Sequence, residues 1–134
     1  MIVLAVKGSV AGEAIELAGG ARLAGKIVVD ATNPIADAPP VDGVLQFFTG
    51  PNDSLMERLQ RDYPVIRFVK AFNSVGNASM VNPAFAGGPA TMFICGNDAE
   101  AKSVVAELLR TFGWEPADMG TAVAARAIGP LRPM

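Results

Sequence analysis

Two asparagine residues occupy equivalent places in the sequence, each directly after a run of apolar and β-branched residues. Asn33 follows the run Ile27–Ala31 and one threonine, and Asn73 follows the run Arg67–Phe72. In an open parallel α/β sheet, ligands bind outside the carboxyl ends of the strands. An asparagine amide offers both hydrogen-bond donors and acceptors there. The spacing therefore predicts a small-molecule site at the ends of two neighbouring strands.

The remaining reactive residue types are few, and this limits the chemistry of such a site. The chain contains no histidine and a single cysteine, Cys95. Histidine-based triads, histidine proton shuttles and most zinc chemistry are therefore excluded. We expect no metal, no disulfide and a cytoplasmic location. We expect Cys95 to be an inert core thiol, because apolar surroundings raise a thiol pKa.

The amino-acid composition limits the classes of partner that the protein can bind. Hydrophobic residues make up 51% of the chain and charged residues 18%, which is typical of a sheet covered by helices on both faces. The balance of 11 basic against 13 acidic residues gives no electrostatic footprint for nucleic acid or an anionic membrane. Charged residues also interrupt every long apolar stretch, so no transmembrane segment is predicted. We expect small-molecule partners, and neither nucleic acid nor membrane.

Strand and helix patterns alternate along the chain, which indicates an α/β fold with right-handed crossovers. A capping box at Ser54–Glu57 and a capping pair at Asn97-Asp98 mark two helix starts. No linker divides the chain, so 1–134 is predicted to be one domain. Strands are predicted at 2–6, 27–31, 65–72, 91–95 and 114–119, and helices at 8–18, 55–62, 99–112 and 121–128.

Two long irregular segments, 33–50 and 73–89, are rich in proline, glycine and asparagine. Loops of this length are more often functional than simple connectors. The first contains the aromatic pair Phe47-Phe48. This pair is compatible with flanking a planar cofactor or with filling the core.

Five short motifs occur together in one order. They are Val3–Lys7, Asp30–Pro34, Phe68–Asn73, Phe93–Asp98, and Asp118–Gly120 followed by Ala124–Arg126. In this combination the chain resembles the NADP-dependent oxidoreductases that use the deazaflavin coenzyme F-420. The dinucleotide domain of that family is similar to those of pyrroline-carboxylate reductases and STEAP metalloreductases. The resemblance implies the carboxy-terminal half of a Rossmann-type doubly wound, mostly parallel sheet of about five strands with helices on both faces.

The chain departs from the family pattern at both ends. Family members begin with a strand and a G-x-G-x-x-G turn that holds the cofactor pyrophosphate, and no such spacing of glycines occurs here. Near the other end, a family Glu-Pro-Leu is replaced by Gly129-Pro-Leu131. The resemblance thus implies a chain truncated at both ends, with 1–134 a partial NAD(P)-binding domain that lacks the first strands and the glycine-rich loop.

The resemblance also implies an activity and a site. The activity is hydride transfer between NADP(H) and a deazaflavin or flavin cofactor, which needs positioning and water exclusion more than acid–base catalysis. No catalytic residue is assigned, and Ser74–Asn77 would face the deazaflavin. The cofactor-binding residues implied are Ala5, Val6, Lys7, Thr32, Asn33, Pro34, Ala71, Phe72 and Asn73.

Several of these residues also have a purely structural interpretation. Asn33 before Pro34 is equally explained as a turn residue. Lys7 is explained as the solvated end of a strand. Lys70, within a predicted strand, is expected to pair with an acid on a neighbour, and Asp30 is given no catalytic role.

Three functions remain open from the sequence. The first is an oxidoreductase of the deazaflavin–NADP type, impaired or incomplete in this chain. The second is a non-catalytic half-domain that completes its sheet against another chain or a second copy, and a homo-oligomer is expected. The third is a pyrroline-carboxylate-reductase-like enzyme acting on a cyclic imine.

Overall fold

The computed structural model describes residues 1–131 and shows an α/β domain. Its first sheet contains three parallel strands in the order β1-β2-β3, namely β1 (Ile2–Leu4), β2 (Ile27–Asp30) and β3 (Arg67–Lys70). All four residues of β2 are buried. Such continuous burial explains why this strand is a β-branched run rather than an alternating pattern.

A second pair of parallel strands, β4 (Thr91–Ile94) and β5 (Glu115–Asp118), lies beside the first sheet. An antiparallel bridge links the two sheets, in which the Lys70 N–H donates to the Cys95 carbonyl at 2.9 Å. The five predicted strands are therefore present and mostly parallel, although each is shorter than predicted. They form two short sheets joined by this bridge rather than one continuous ladder.

Within residues 1–131, four α-helices connect and cover the strands. They are α1 (Ala11–Leu17), α2 (Leu55–Asp62), α3 (Ala99–Thr111) and α4 (Ala125–Ile128). The Ser54 and Asp98 side chains cap α2 and α3 by accepting from backbone N–H groups of the first turn, as the sequence predicts. The predicted helix 121–128 is instead a 3₁₀ turn at 122–124 that leads into the short α4.

The sheet has hydrophobic cores on both faces. Residues alternate along β2, so that Val28 packs beneath α1, α2 and α4 while Val29 packs beneath α3. On β3, Phe68 packs in the same core as Val28, and Val69 packs in the same core as Val29. Helices therefore cover both faces, and the predicted α/β fold class is confirmed.

Strand β1 lies at the end of its sheet in the part of the chain that the structure describes. Val3 is 56% exposed, although its register partner Val29 is completely buried. The β1 edge thus presents apolar side chains that the rest of the described chain leaves uncovered. Among residues 1–131, no helix is both long and apolar enough to cross a membrane.

Candidate functional site

A cavity of about 270 Å³ opens at the carboxyl ends of β1 and β2, where the sequence predicts ligand binding. Its walls are largely apolar, and its polar groups come from the segments that follow the two strands. The lining residues are Val6, Lys7, Gly8, Ala31, Asn33, Ile35, Ala36 and Asp37. An apolar cavity with a few convergent polar groups is the usual form of a small-molecule site. We refer to it below as the strand-end cavity.

Gly8 allows the segment after β1 to lie directly against the Asn33 turn. A Cβ atom added at Gly8 would lie only 2.0 Å from the Asn33 carbonyl oxygen. No larger residue fits this close backbone approach without displacing the turn. Sequence reasoning did not include Gly8 in the site, and the signal that could have identified it is a glycine just after a strand.

A salt bridge lies at the rim of the strand-end cavity. Lys7 Nζ donates to Asp37 Oδ1 at 3.2 Å, and both side chains are mostly exposed. Hydrogen bonds from Ser9 and Lys7 hold the pKa of Asp37 below its ordinary value. Lys7 is therefore both a solvated strand end and a cation at the mouth of the cavity. Asp37 was not among the predicted site residues because its partner is distant in sequence.

The Asn33 and Asn73 side chains converge on one stretch of backbone after α4. Asn33 Nδ2 donates to the carbonyls of Gly129 at 3.0 Å and Leu131 at 2.7 Å. Asn73 Nδ2 donates to the carbonyls of Ile128 at 2.8 Å and Leu131 at 3.2 Å. The two strand-end amides are thus neighbours, as predicted, and their donors are engaged by the protein. The turn interpretation of Asn33 is therefore compatible with its place in the cavity wall.

The end of β3 is buried and strained. Phe72 has a φ of +67°, a left-handed conformation that is costly for a bulky residue. Its N–H donates to the Met92 sulfur at 3.3 Å, and its ring lies 6.1 Å from that of Phe112. Next to it, the buried Oδ1 of Asn73 has no hydrogen-bond partner among the residues that the structure describes. An unsatisfied buried acceptor of this kind is rare in folded proteins.

The predicted site residues therefore separate into groups by position. Val6, Lys7 and Asn33 line the strand-end cavity. Ala5 is exposed outside it, and Ser74–Asn77 range from half-buried to exposed. The remaining predicted residues are buried and do not line the cavity, and these are Thr32, Pro34, Ala71, Phe72 and Asn73.

A buried ion pair lies directly behind the Asn33 turn. Lys70 Nζ donates to Asp30 Oδ2 at 3.0 Å and to the Thr32 carbonyl at 2.7 Å. The Thr32 backbone N–H and hydroxyl donate to Asp30 Oδ1 at 2.9 and 2.6 Å. Asp30 and Lys70 are 0% and 1% exposed, so the expected pairing of Lys70 with an acid on a neighbouring strand is confirmed.

The aromatic pair in the first long loop does not line the strand-end cavity. Phe48 packs against the core beneath α1 and α2, and the Arg58 guanidinium lies 5.8 Å from its ring centre. Phe47 is 36% exposed and its backbone bridges to Ile35. Phe48 also lines a neighbouring cavity of about 460 Å³ together with Gly8 and Asp37, so both interpretations left open by the sequence remain compatible with its position.

A larger cleft, of about 580 Å³, lies by the amino end of β3 and the start of α3. Its charged groups include Glu57, which receives hydrogen bonds from Arg126 and Ser54. Burial would raise the pKa of Glu57, but these bonds outweigh it and hold the pKa below its ordinary value. The acids here are engaged by neighbouring bases, and the cleft lies away from the carboxyl ends of β1 and β2. It is the weaker candidate for ligand chemistry.

The fold and the strand-end cavity together define a Rossmann-like α/β domain. The solved structure of a proposed F-420-dependent NADP reductase from Arthrobacter sp. FB24 is similar to 98% of this chain, with a TM-score of 0.91 and 36% identity. A hypothetical protein from Sinorhizobium meliloti matches 99% of the chain, with a TM-score of 0.77 and 28% identity. In sequence, the chain is 36% identical over 113 residues to the metalloreductase STEAP3 of Rattus norvegicus. It matches no family model.

These similarities confirm the resemblance to F-420-dependent NADP oxidoreductases that the five sequence motifs indicated. The match to STEAP3 includes 83% of this chain. The chain spans 59% of the Arthrobacter protein, 64% of the Sinorhizobium protein and 21% of STEAP3. The likeness is thus to one part of each longer protein.

Proposed function

We propose that this chain provides the nicotinamide-binding part of an NADP-dependent oxidoreductase domain. The observation that carries the proposal is the strand-end cavity, where Val6, Lys7 and Asn33 meet at the ends of β1 and β2. The likeness to a proposed F-420-dependent NADP reductase supports the choice of NADP. A deazaflavin or flavin cofactor is the proposed hydride partner.

The residues present fit a nicotinamide group. Val6, Ala31 and Ile35 provide an apolar wall for a flat ring, while Asn33 provides polar groups beside it. Asn73 at the adjacent strand end is buried and does not line the cavity, so it takes no part in this fit. Bound NADP(H) supplies the hydride chemistry.

The chain's own contribution to the reaction is positioning. The apolar wall excludes water from one face of the ring, and the Asn33 turn fixes the edge of the cavity because Gly129 and Leu131 hold its amide. Lys7 lies at the mouth in a salt bridge with Asp37, so the two side chains together add no net charge there. No side chain is required to transfer a proton, in keeping with the lack of histidine.

Calorimetric titration with NADPH tests this proposal. The 134 residues contain no G-x-G-x-x-G loop for the pyrophosphate, so we expect weak binding in the millimolar range. The variant Val6→Trp fills the cavity and should abolish that binding. Val104→Trp is the matched control, because Val104 is similarly exposed but lies on α3. Equal binding by both variants, or no binding by the unaltered chain, would contradict the proposal.

A pairing module is the second candidate function, and the β1 edge favours it. Val3 of β1 and the adjacent Met1 are 56% and 59% exposed, and among residues 1–131 β1 pairs with a strand on one side only. Apolar sheet edges of this kind associate with other strands. Native mass spectrometry of the chain should then show a homo-oligomer, and Val3→Lys should convert it to monomer. A monomer in the unaltered chain would count against this candidate.

A further inference from the structure

We propose that the buried Asp30–Lys70 pair is a positioning element that sets the Asn33 turn and thus the shape of the strand-end cavity. The effect of this pair on cofactor binding rests on the proposed function. The effect of the pair on the Asn33 turn does not. Neither residue touches the cavity, since the lining residues include Asn33 but neither member of the pair.

The contacts of the pair converge on Thr32, the residue before Asn33. Asp30 Oδ1 accepts from both the backbone N–H and the hydroxyl of Thr32, and Lys70 Nζ donates to the Thr32 carbonyl. Both ends of the Thr32 backbone are therefore held. The carbonyl that Lys70 holds belongs to the peptide that continues into Asn33, so its orientation sets the direction in which Asn33 leaves β2.

A purely stabilising role accounts poorly for this pair. Removing two charges from water costs free energy that their attraction repays only in part, and an apolar pair of similar volume is often as stable. Asp30 and Lys70 are register partners on adjacent buried strands, so the attraction between them is the kind of interaction that an apolar pair can replace. The charged pair differs from an apolar one by making directional bonds, and those bonds reach the Thr32 backbone.

The turn that the pair holds is also fixed from its other side. Asn33 Nδ2 is bonded to Gly129 and Leu131, and Gly8 lies against the Asn33 carbonyl. Loss of the Asp30–Lys70 bonds would leave these contacts to hold the turn alone. The expected result is a turn that is still formed but less ordered, in a protein that is still folded.

The test is NMR measurement of hydrogen exchange at the Asn33 side-chain amide in a folded double variant. Asp30→Leu with Lys70→Met removes both charges together, so no unpaired charge remains buried. We expect exchange at Asn33 to rise about tenfold, while exchange at the Val29 backbone amide changes little, because local opening is independent of global unfolding. The control is Lys102→Met with Asp118→Asn, which removes an ion pair that makes no hydrogen bond to Thr32 or Asn33 and should change neither rate.

A second variant keeps the proposal testable if the double variant does not fold. Thr32→Val removes only the hydroxyl bond to Asp30 and preserves shape. It should produce a smaller rise in Asn33 exchange, and unchanged exchange at Asn33 in either folded variant would overturn the proposal.

NADPH titration of the same proteins separates the positioning role of the Asp30–Lys70 pair from the proposed function. Absence of NADPH binding in the unaltered chain would contradict the proposed function, while the exchange at Asn33 would still decide the positioning role.

Discussion

Side-chain amides at the ends of β2 and β3 bond the backbone, and one of them, that of Asn33, belongs to a residue that also lines the strand-end cavity. Asn33 and Asn73 both donate to the Leu131 carbonyl, which ties two strand ends to the segment after α4. The same Asn33 lines the strand-end cavity. One residue thus connects the packing of the domain to the shape of its proposed binding site.

The glycine beside this turn gives a prediction at the residue scale. Gly8→Ala should lower the free energy of unfolding by roughly 1–3 kcal/mol, because its Cβ would collide with the Asn33 carbonyl and force a backbone shift. Chemical denaturation measures the change. Gly12→Ala is the matched control in α1, where an added Cβ meets nothing within 4 Å. That variant should be stabilised by up to about 1 kcal/mol. Equal effects at Gly8 and Gly12 would contradict the close approach.

Cys95 gives a second prediction, about pH. Burial raises the pKa of its thiol to about 11 from an ordinary value of 9.0. Because the folded state holds the neutral thiol, its contribution to stability is complete below pH 9 and is lost as pH rises through about 11. Thermal unfolding from pH 8 to pH 11 should show a decline that Cys95→Ala reduces. An identical decline in both proteins would argue against this burial effect.

The secondary structure was largely predictable because its signals are local. Ser54, Asp98 and Gly113 mark helix ends through bonds or backbone angles set within a few residues. The end of β2 was also visible as a β-branched run before Asn33. The carbonyl partners of Asn33 lie nearly one hundred residues away, so no sequence pattern indicates them. The role of Asp37 was missed for the same reason, since its partner Lys7 lies 30 residues away, whereas Gly8 carried a local signal as a glycine just after a strand.

At the scale of elements, one carboxylate joins α2 to α4. Glu57 belongs to the capping box of α2, where Ser54 Oγ both donates to its carboxylate at 2.7 Å and accepts from its N–H at 3.1 Å. Arg126 of α4 binds the same carboxylate through Nε and Nη2. The short α4 therefore depends on a longer neighbour for its position.

Substitutions at the cap test this dependence. Ser54→Ala should lower the free energy of unfolding by about 1 kcal/mol, because the cap of α2 is lost.

Glu57 gives a prediction about pH. Since the pKa of Glu57 is lowered in the folded state, the stability that Glu57 contributes is present above its unfolded pKa and is lost as pH falls. Denaturation of the unaltered chain and Glu57→Gln between pH 7 and pH 3 measures this, and Glu57→Gln should show the shallower decline. Parallel declines would show that Glu57 carries no such contribution.

At the scale of the whole molecule, the strands are not equally buried by the rest of the protein. Two hydrophobic cores bury the central strands β2 and β3 from both faces, whereas β1 leaves Val3 exposed. The strand-end cavity lies where β1 meets β2, next to this open edge. Whatever covers the edge would therefore lie near the cavity, and cofactor binding and strand pairing are expected to influence each other.

NMR chemical-shift mapping during NADPH titration tests the central claim most directly. At least three concave surfaces of the described residues compete for the ligand: the strand-end cavity, a neighbouring cavity of about 460 Å³ beside Phe48 and Arg58, and the larger cleft beside α2 and α3. We predict that the largest shifts occur at Val6, Gly8, Ala31 and Asn33, with smaller ones at Asn73. Shifts confined to the larger cleft, around Arg61, Arg67 and Asn97, would contradict the assignment of the strand-end cavity as the nicotinamide site.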